Sequence, residues 1–213
     1  MSDERLAAVG LIDGSLLIGR FPEDPSTSSK EELLATLWQK SHKTPLRKAR
    51  FGTQNDVWAL TKGKSLVQYD LETGRKRRTK AKAHQSPPFA LLPFTKGDFN
   101  VVASGDEAGC VCLWDFRASD PLIVEFSEHS DYVGDLGVTA DGRQLISASA
   151  DATIAAYSVS GKKLMVQSEE FSAECLSVCH VSTLEGGDYF AVGGGDAHVS
   201  LFRQGRHSPC LPF

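Results

Sequence analysis

The sequence predicts an all-β protein built from repeated four-stranded antiparallel sheets. Three observations predict it. Short runs of Val, Leu, Ile, Phe and Tyr lie between glycines, and helix-favouring stretches are few. Polar links such as Asp13-Gly14 and Asp141-Gly142 sit between extended runs, where tight hairpins need positive φ or local hydrogen bonds. Aromatic residues recur at Tyr69, Trp114, Tyr157 and Phe202, spaced by 45, 43 and 45 residues.

Length and composition fit that class. The 213 residues carry a net charge of −4 and suffice for one large domain or two small ones. No apolar run is long enough to span a membrane as a helix, and the start lacks the basic and apolar regions of a signal peptide. Five cysteines without a secretory signal read as reduced thiols in the cytosol or nucleus. The charges are segregated. Residues 40–82 hold thirteen Lys or Arg against three acids, whereas residues 98–135 hold nine acids against one base, Arg117. Such asymmetry marks either a partner surface or a set of solvated loops.

The repeat appears when three segments are set beneath one another. They are Val102–Asp115, Ile146–Tyr157 and Ala191–Phe202. Each has an apolar strand ending in small residues, a turn, and an alternating strand ending on an aromatic. A period near 40–45 residues with four strands is that of a β-propeller blade. A partial copy, Ala7–Phe21, opens the chain. The frame gives one domain over 1–213, with a partial blade at 6–41, repeats near 42–82, 83–127, 128–168 and 169–203, and an irregular tail at 204–213. Residues 22–30 read as a surface loop. Residues 31–40 could be a short helix by composition, but the frame makes them the outer strand of the first blade. The tail does not read as a strand, since Pro removes ladder donors. Links also fall at Glu72-Thr73-Gly74, Ala150-Asp151-Ala152, Gly186-Gly187 and Gly195-Asp196-Ala197.

Leu113-Trp114-Asp115 resembles the signature that ends the third strand of a WD-repeat blade. His84 and His129 stand where that family places a Gly-His pair. The resemblance implies a hydrogen-bonded brace of His, turn Asp, strand Ser or Thr, and Trp. The fourth repeat offers His129, Asp151, Ser147 or Ser149, and Tyr157 in place of Trp. The third offers His84, Ser104 and Trp114, with Ala108 at the turn. The fifth offers Asp196 and Phe202, with neither His nor Ser. The fold implied is an incomplete arc of about five four-stranded blades of a WD-repeat β-propeller. Seven blades are usual in the family, so the expectation is a partial chain, an unusual closure, or completion by a partner, with poor solubility or self-association as a consequence.

The order of segments is similar to that in the WD repeat-containing protein 55 family. It runs from the opening Asp13-Gly14 pair through His42, Leu71-Glu72-Thr73-Gly74, Lys82-Ala83-His84 and Trp114-Asp115-Phe116-Arg117 to Glu128–Asp135. That resemblance covers residues 6–203. It implies a scaffold for protein and RNA assembly in ribosomal RNA processing and large-subunit ribosome biogenesis. It also implies a nuclear and nucleolar location, with the cytoplasm as a further place, and ribosome-assembly factors and ribosomal RNA as partners.

Candidate sites carry competing readings. Arg75, Lys76, Arg77, Arg78, Lys80 and Lys82 place six bases in eight residues. They suit RNA phosphates or a nuclear address, or simply an edge strand kept soluble by charge. Without interleaved aromatics, base stacking is not indicated. Trp114, Asp115 and Arg117 also fit the Trp-Asp-x-Arg pattern of substrate receptors for cullin-type ubiquitin ligases, in which the Arg reaches an adaptor. Cys175, Cys179 and His180 invite a metal reading. Alternation puts both thiols on one face and His180 on the other, without a fourth zinc-spaced ligand, so buried thiols are expected there and at Cys110 and Cys112. Gly193-Gly194-Gly195 lacks the Gly-Lys-Ser/Thr of a phosphate loop. With no Gly-x-Ser-x-Gly or His-Glu-x-x-His, a hydrolase on a propeller is disfavoured, and no catalysis, cofactor, metal, membrane or small-molecule substrate is expected.

Overall fold

The computed structural model describes residues 6–21, 35–97, 99–182, 188–196, 198–203 and 211–212. Among them every regular element is a strand and none is a helix. The chain divides into two compact units, Met1–Gln85 and Ser86–Phe213.

The first unit holds two antiparallel sheets. One has three strands in sequence order, β1 (Leu6–Gly10), β2 (Ser15–Arg20) and β3 (Ala35–Ser41). Residues 35–40 are therefore strand, as the repeat frame expects, while 22–34 lie outside the described residues. The other sheet orders β4 (Leu46–Phe51), β5 (Asp56–Thr61), β6 (Leu66–Asp70) and β7 (Lys76–Lys80). A core of Leu16, Ile18, Val57, Ala59, Val67 and Tyr69 lies between the two sheets.

The second unit holds three four-stranded sheets. The first is β8 (Pro88–Lys96), β9 (Phe99–Asp106), β10 (Val111–Trp114) and β11 (Leu122–Phe126). The second is β12 (Val133–Val138), β13 (Gln144–Ser149), β14 (Ile154–Ser158) and β15 (Lys163–Gln167). The third is β16 (Cys175–Ser182), β17 (Asp188–Gly194), β18 (Val199–Arg203) and β19 (Leu211–Pro212). The last strand corrects the expectation of an irregular tail, because Leu211 and Pro212 pair with Leu201 and Ser200. Pro212 is tolerated there because β19 is an edge strand, where a missing donor breaks no further ladder. Pro93, inside β8, likewise stands on a strand at the end of its sheet.

The ladders show that the copies share one pairing register. Between the second and third strands of the four-stranded sheets, the fourth pair is Val57–Tyr69, Val102–Trp114, Leu145–Tyr157 and Phe190–Phe202. All four aromatics of the period are buried. In the three-stranded sheet, whose β1 and β2 correspond to the second and third strands of the others, the matching position is Gly19.

Bulges repeat as well. The second residue of each first strand, Arg47, Phe89, Gly134 and Leu176, is bulged out of register. At the turn into the third strand, Gly14, Lys64, Gly109 and Ala152 occupy one position, and all four have positive φ. A Cβ on Gly109 would come within 2.3 Å of His129 O, so glycine is needed there for space as well as conformation.

Candidate functional site

The braces are built first, since they fix the blades. In the fourth repeat, His129 Nδ1 lies 3.0 Å from Asp151 Oδ2 and 3.1 Å from Thr153 Oγ1. Its Nε2 lies 2.6 Å from Ser147 Oγ, which is 3.3 Å from the Tyr157 hydroxyl. Burial pushes the Tyr157 phenol pKa well up. Ser149 does not bond His129; its hydroxyl donates to Asp131 O at 3.0 Å and accepts from the Asp151 amide at 3.2 Å. Ser, His and Asp in this order are also the residue types of hydrolytic triads. Here Ser147 is 0% exposed, so no substrate can reach its oxygen.

The other repeats solve the same problem with different residues. In the third, Trp114 Nε1 donates to Ser104 Oγ at 2.7 Å, with His84 buried. In the second, Ala59 stands where Ser104 and Ser147 stand, and His42 Nε2 meets the Tyr69 hydroxyl directly at 3.1 Å. In the fifth, Val192 replaces the Ser, and Phe171 takes the His position four residues before the first strand. Phe171 packs edge-on against Phe202, ring centroids 5.4 Å apart, so an aromatic pair replaces the polar chain. His42 and Phe171 were missed as brace members. Their constant distance before the first strand was the available signal.

The turn acids follow the same logic. The amide that opens each third strand donates to a side-chain oxygen in all five sheets. Asp13, Asp151 and Asp196 serve Ser15, Thr153 and His198 at 2.8, 2.9 and 3.2 Å. Where Gly63 and Ala108 replace the acid, the acceptor moves back along the second strand. Thr61 Oγ1 serves Ser65 at 3.1 Å, and Asp106 Oδ1 serves Cys110 at 3.0 Å. Asp196 also accepts from Ser172 Oγ at 3.0 Å.

The basic strand, β7, is the outer strand of its sheet and exposed over most of its length. The four bases within it and the flanking Arg75 and Lys82 are not equivalent. Arg77 is the bulged residue, and its guanidinium donates to the Asp70 carboxylate and, at 3.2 Å, to Gln54 O. Bonds from Thr73 and then from Arg77 hold the Asp70 carboxyl far below the usual carboxylate range. Lys80 is half-buried and has interactions of its own. Lys76 pairs with Tyr69 across the ladder. Burial, and then the Lys76 charge, lower the His42 pKa. Among the described residues, the exposed Arg75, Arg78 and Lys82 form no side-chain ion pair.

The Trp-Asp-x-Arg segment follows β10. Trp114 is buried, whereas Arg117 is 53% exposed. Arg117 Nε and NH2 grip Asp115 at 2.8 and 2.6 Å, a bidentate pair within the turn.

The bulge at Leu176 overturns the alternation expected for the thiols. It puts Cys175 on the face of Val178 and His180, and Cys179 on the other. Cys175 is buried and its pKa is pushed up to about 11 by desolvation. Cys179 is exposed, contrary to the expectation of a buried thiol, and Cys110 is only half-buried. Cys112 is buried, and burial followed by the Glu125 charge raises its pKa strongly.

Residues 120–158 match the family model for the WD domain, G-beta repeat, and the segment includes Ser147, Asp151 and Tyr157 of the most complete brace. The chain carries a WD repeat. Its sheets are WD-repeat blades of the β-propeller type. It is 28% identical over 199 residues to human WD repeat-containing protein 55, across 92% of this chain and 49% of the relative. The Arabidopsis thaliana protein of that name is 30% identical over 174 residues, across 81% of this chain and 46% of the relative. The chain thus spans about half the length of the curated relatives it matches. A chain in a crystal structure of the mitotic checkpoint complex shares the fold with TM-score 0.79 at 19% identity, over 98% of this chain and 60% of that one.

Proposed function

We propose that this WD-repeat chain is a non-catalytic scaffold for protein and RNA assembly in ribosomal RNA processing and large-subunit biogenesis. The observation that carries the RNA half of the reading is the solvent-facing outer strand β7. In and beside that strand, Arg75, Lys76, Arg78 and Lys82 are exposed and would meet phosphates, while Arg77 is held by Asp70. Phosphate contacts are made by point charges and guanidinium forks without base readout, which suits a strand with no interleaved aromatics. Similarity to WD repeat-containing protein 55 supports the choice of process, and a nuclear and nucleolar location goes with it.

The test replaces Arg75, Lys76, Arg78 and Lys82 with Ala. The expected result is weaker binding to RNA of any sequence. A variant that binds RNA as the parent does, yet stays out of the nucleus, would make the run an import address instead. A second reading, adaptor binding in a ubiquitin ligase, is favoured by the half-exposed Arg117 at its turn. Arg117→Ala should abolish adaptor capture under that reading and leave it unchanged under the first.

A further inference from the structure

Within the second unit the strand ends divide the charge. All six Lys and Arg residues between 86 and 203 lie at one end of the sheets: Lys96, Arg117, Arg143, Lys162, Lys163 and Arg203. The opposite end is formed by the start of β8 and the loops 106–110, 127–132, 150–153, 168–174 and 195–196. Those five loops hold nine acids and no Lys or Arg. Asp106, Asp151 and Asp196 are engaged in the turns and braces, and the other six are exposed.

Apolar surface sits among these charges. Phe89 and Leu176 are bulged residues of their first strands, and both occur at this end. The Phe89 ring stacks obliquely on Tyr132, centroids 5.3 Å apart. Tyr132 is half-exposed and immediately precedes β12. Gly134, the bulged residue of β12, lets β16 approach so closely that a Cβ there would lie 2.8 Å from Leu176 O. Leu176, 37% exposed, lies at this same end, one strand along from Tyr132. Burial, then the charges of Glu174 and Asp131, raise the Tyr132 pKa, so both carboxylates act on the ring.

We propose that this end of the second unit docks a Lys/Arg-rich segment of a partner protein. The Phe89–Tyr132 pair offers aromatic faces to a cation and to its alkyl stem; Asp131 and Glu174 add negative charge beside Tyr132, and Glu107, whose amide bonds Pro87 O, adds it at the start of β8. An Arg or Lys over an aromatic face gains from the ring quadrupole, and its aliphatic part covers apolar surface such as Leu176. A polyanion is repelled by the same rim. The site uses no residue of β7, so its failure leaves the proposed RNA contact standing.

The test titrates the full chain into a fluorescein-labelled alternating Arg–Lys octapeptide at physiological salt and reads anisotropy. A neutral Gln–Ser octapeptide and a labelled RNA oligonucleotide serve as comparisons. The basic peptide should bind and the neutral one should not. Glu107→Gln, Asp131→Asn and Glu174→Gln together should weaken it on the order of tenfold, from three exposed charge pairs. Tyr132→Leu keeps the apolar bulk and should weaken it about two- to fivefold by removing one of the two π faces named, that of Tyr132. Melting at the parent temperature confirms that each variant is folded. Tyr132→Leu binding as the parent does would reduce the effect to bulk charge and overturn the proposal. A loss of RNA binding in Tyr132→Leu, with peptide binding unchanged, would assign the surface to nucleic acid and overturn it equally.

Discussion

At the scale of residues, the repeat conserves tasks rather than side chains. Something must fill the space between the third-strand aromatic and the segment entering the first strand. Ser147 links His129 to Tyr157, Ser104 holds Trp114, a direct His42–Tyr69 contact serves the second repeat, and Phe171 on Phe202 serves the fifth. Ser147→Ala would leave His129 Nε2 and the Tyr157 hydroxyl short of a buried partner. A loss of about 1–3 kcal/mol in urea unfolding is expected, and a loss within experimental error would show that the chain of bonds contributes nothing. The carboxylates of Asp70, Asp141 and Asp151 titrate below their ordinary range. Thr73 chiefly lowers Asp70 and Thr139 chiefly lowers Asp141. At Asp151 the largest effect, burial, raises the pKa but is outweighed by bonds from Thr153 and Ser130 and by His129. A depressed folded pKa contributes stability above the unfolded value, near 4, and loses it as pH falls through the lower folded value. Stability should therefore fall on acidification from about pH 4 downward through these groups. Asp70→Asn should flatten that limb, and an unchanged limb would count against the assignment.

At the scale of elements, the bulges decide which way side chains point. Gly134 sits in one, with Leu176 O where a Cβ would go. Gly134→Ala should cost roughly 1–3 kcal/mol because first strands β12 and β16 must separate. An unchanged melting temperature would mean that their approach is not needed for packing. The same bulges explain what the sequence does and does not reveal. The aromatic period survives because Tyr69, Trp114, Tyr157 and Phe202 occupy one ladder position. The strand over residues 35–40 follows from the frame, even though its composition suits a helix. The faces of Cys175 and Cys179 do not follow, since strict alternation fails once Leu176 leaves the ladder. The shift of the turn acceptor from Asp151 to Asp106 is likewise hidden, because it preserves the hydrogen-bonded amide and not the aligned residue. Leu211–Pro212 is invisible to a rule that reads Pro as the end of a strand, since only its place at an edge makes it one. For the candidate sites, the cluster of six bases is legible. That Arg77 is tied to Asp70 while Arg75 and Arg78 point outward depends on the bulge at Arg77.

At the scale of the whole molecule, a net charge of −4 gives no general reason to bind a polyanion. Any such affinity must come from local charge, and residues 40–82 concentrate thirteen of the twenty-three Lys and Arg residues. Clustered charge attracts a polyanion even when the chain as a whole is slightly acidic. The acid-only loops of the second unit work in the opposite sense, so one chain offers surfaces suited to partners of opposite charge. The most direct measurement is the slope of log affinity for RNA against log salt, for the parent and for the variant with Arg75, Lys76, Arg78 and Lys82 changed to Ala. Each phosphate that a Lys or Arg neutralises releases counterions. The variant slope should therefore be shallower by about one unit for each phosphate no longer neutralised, up to roughly four, for every RNA sequence alike. Identical slopes for parent and variant would contradict the account.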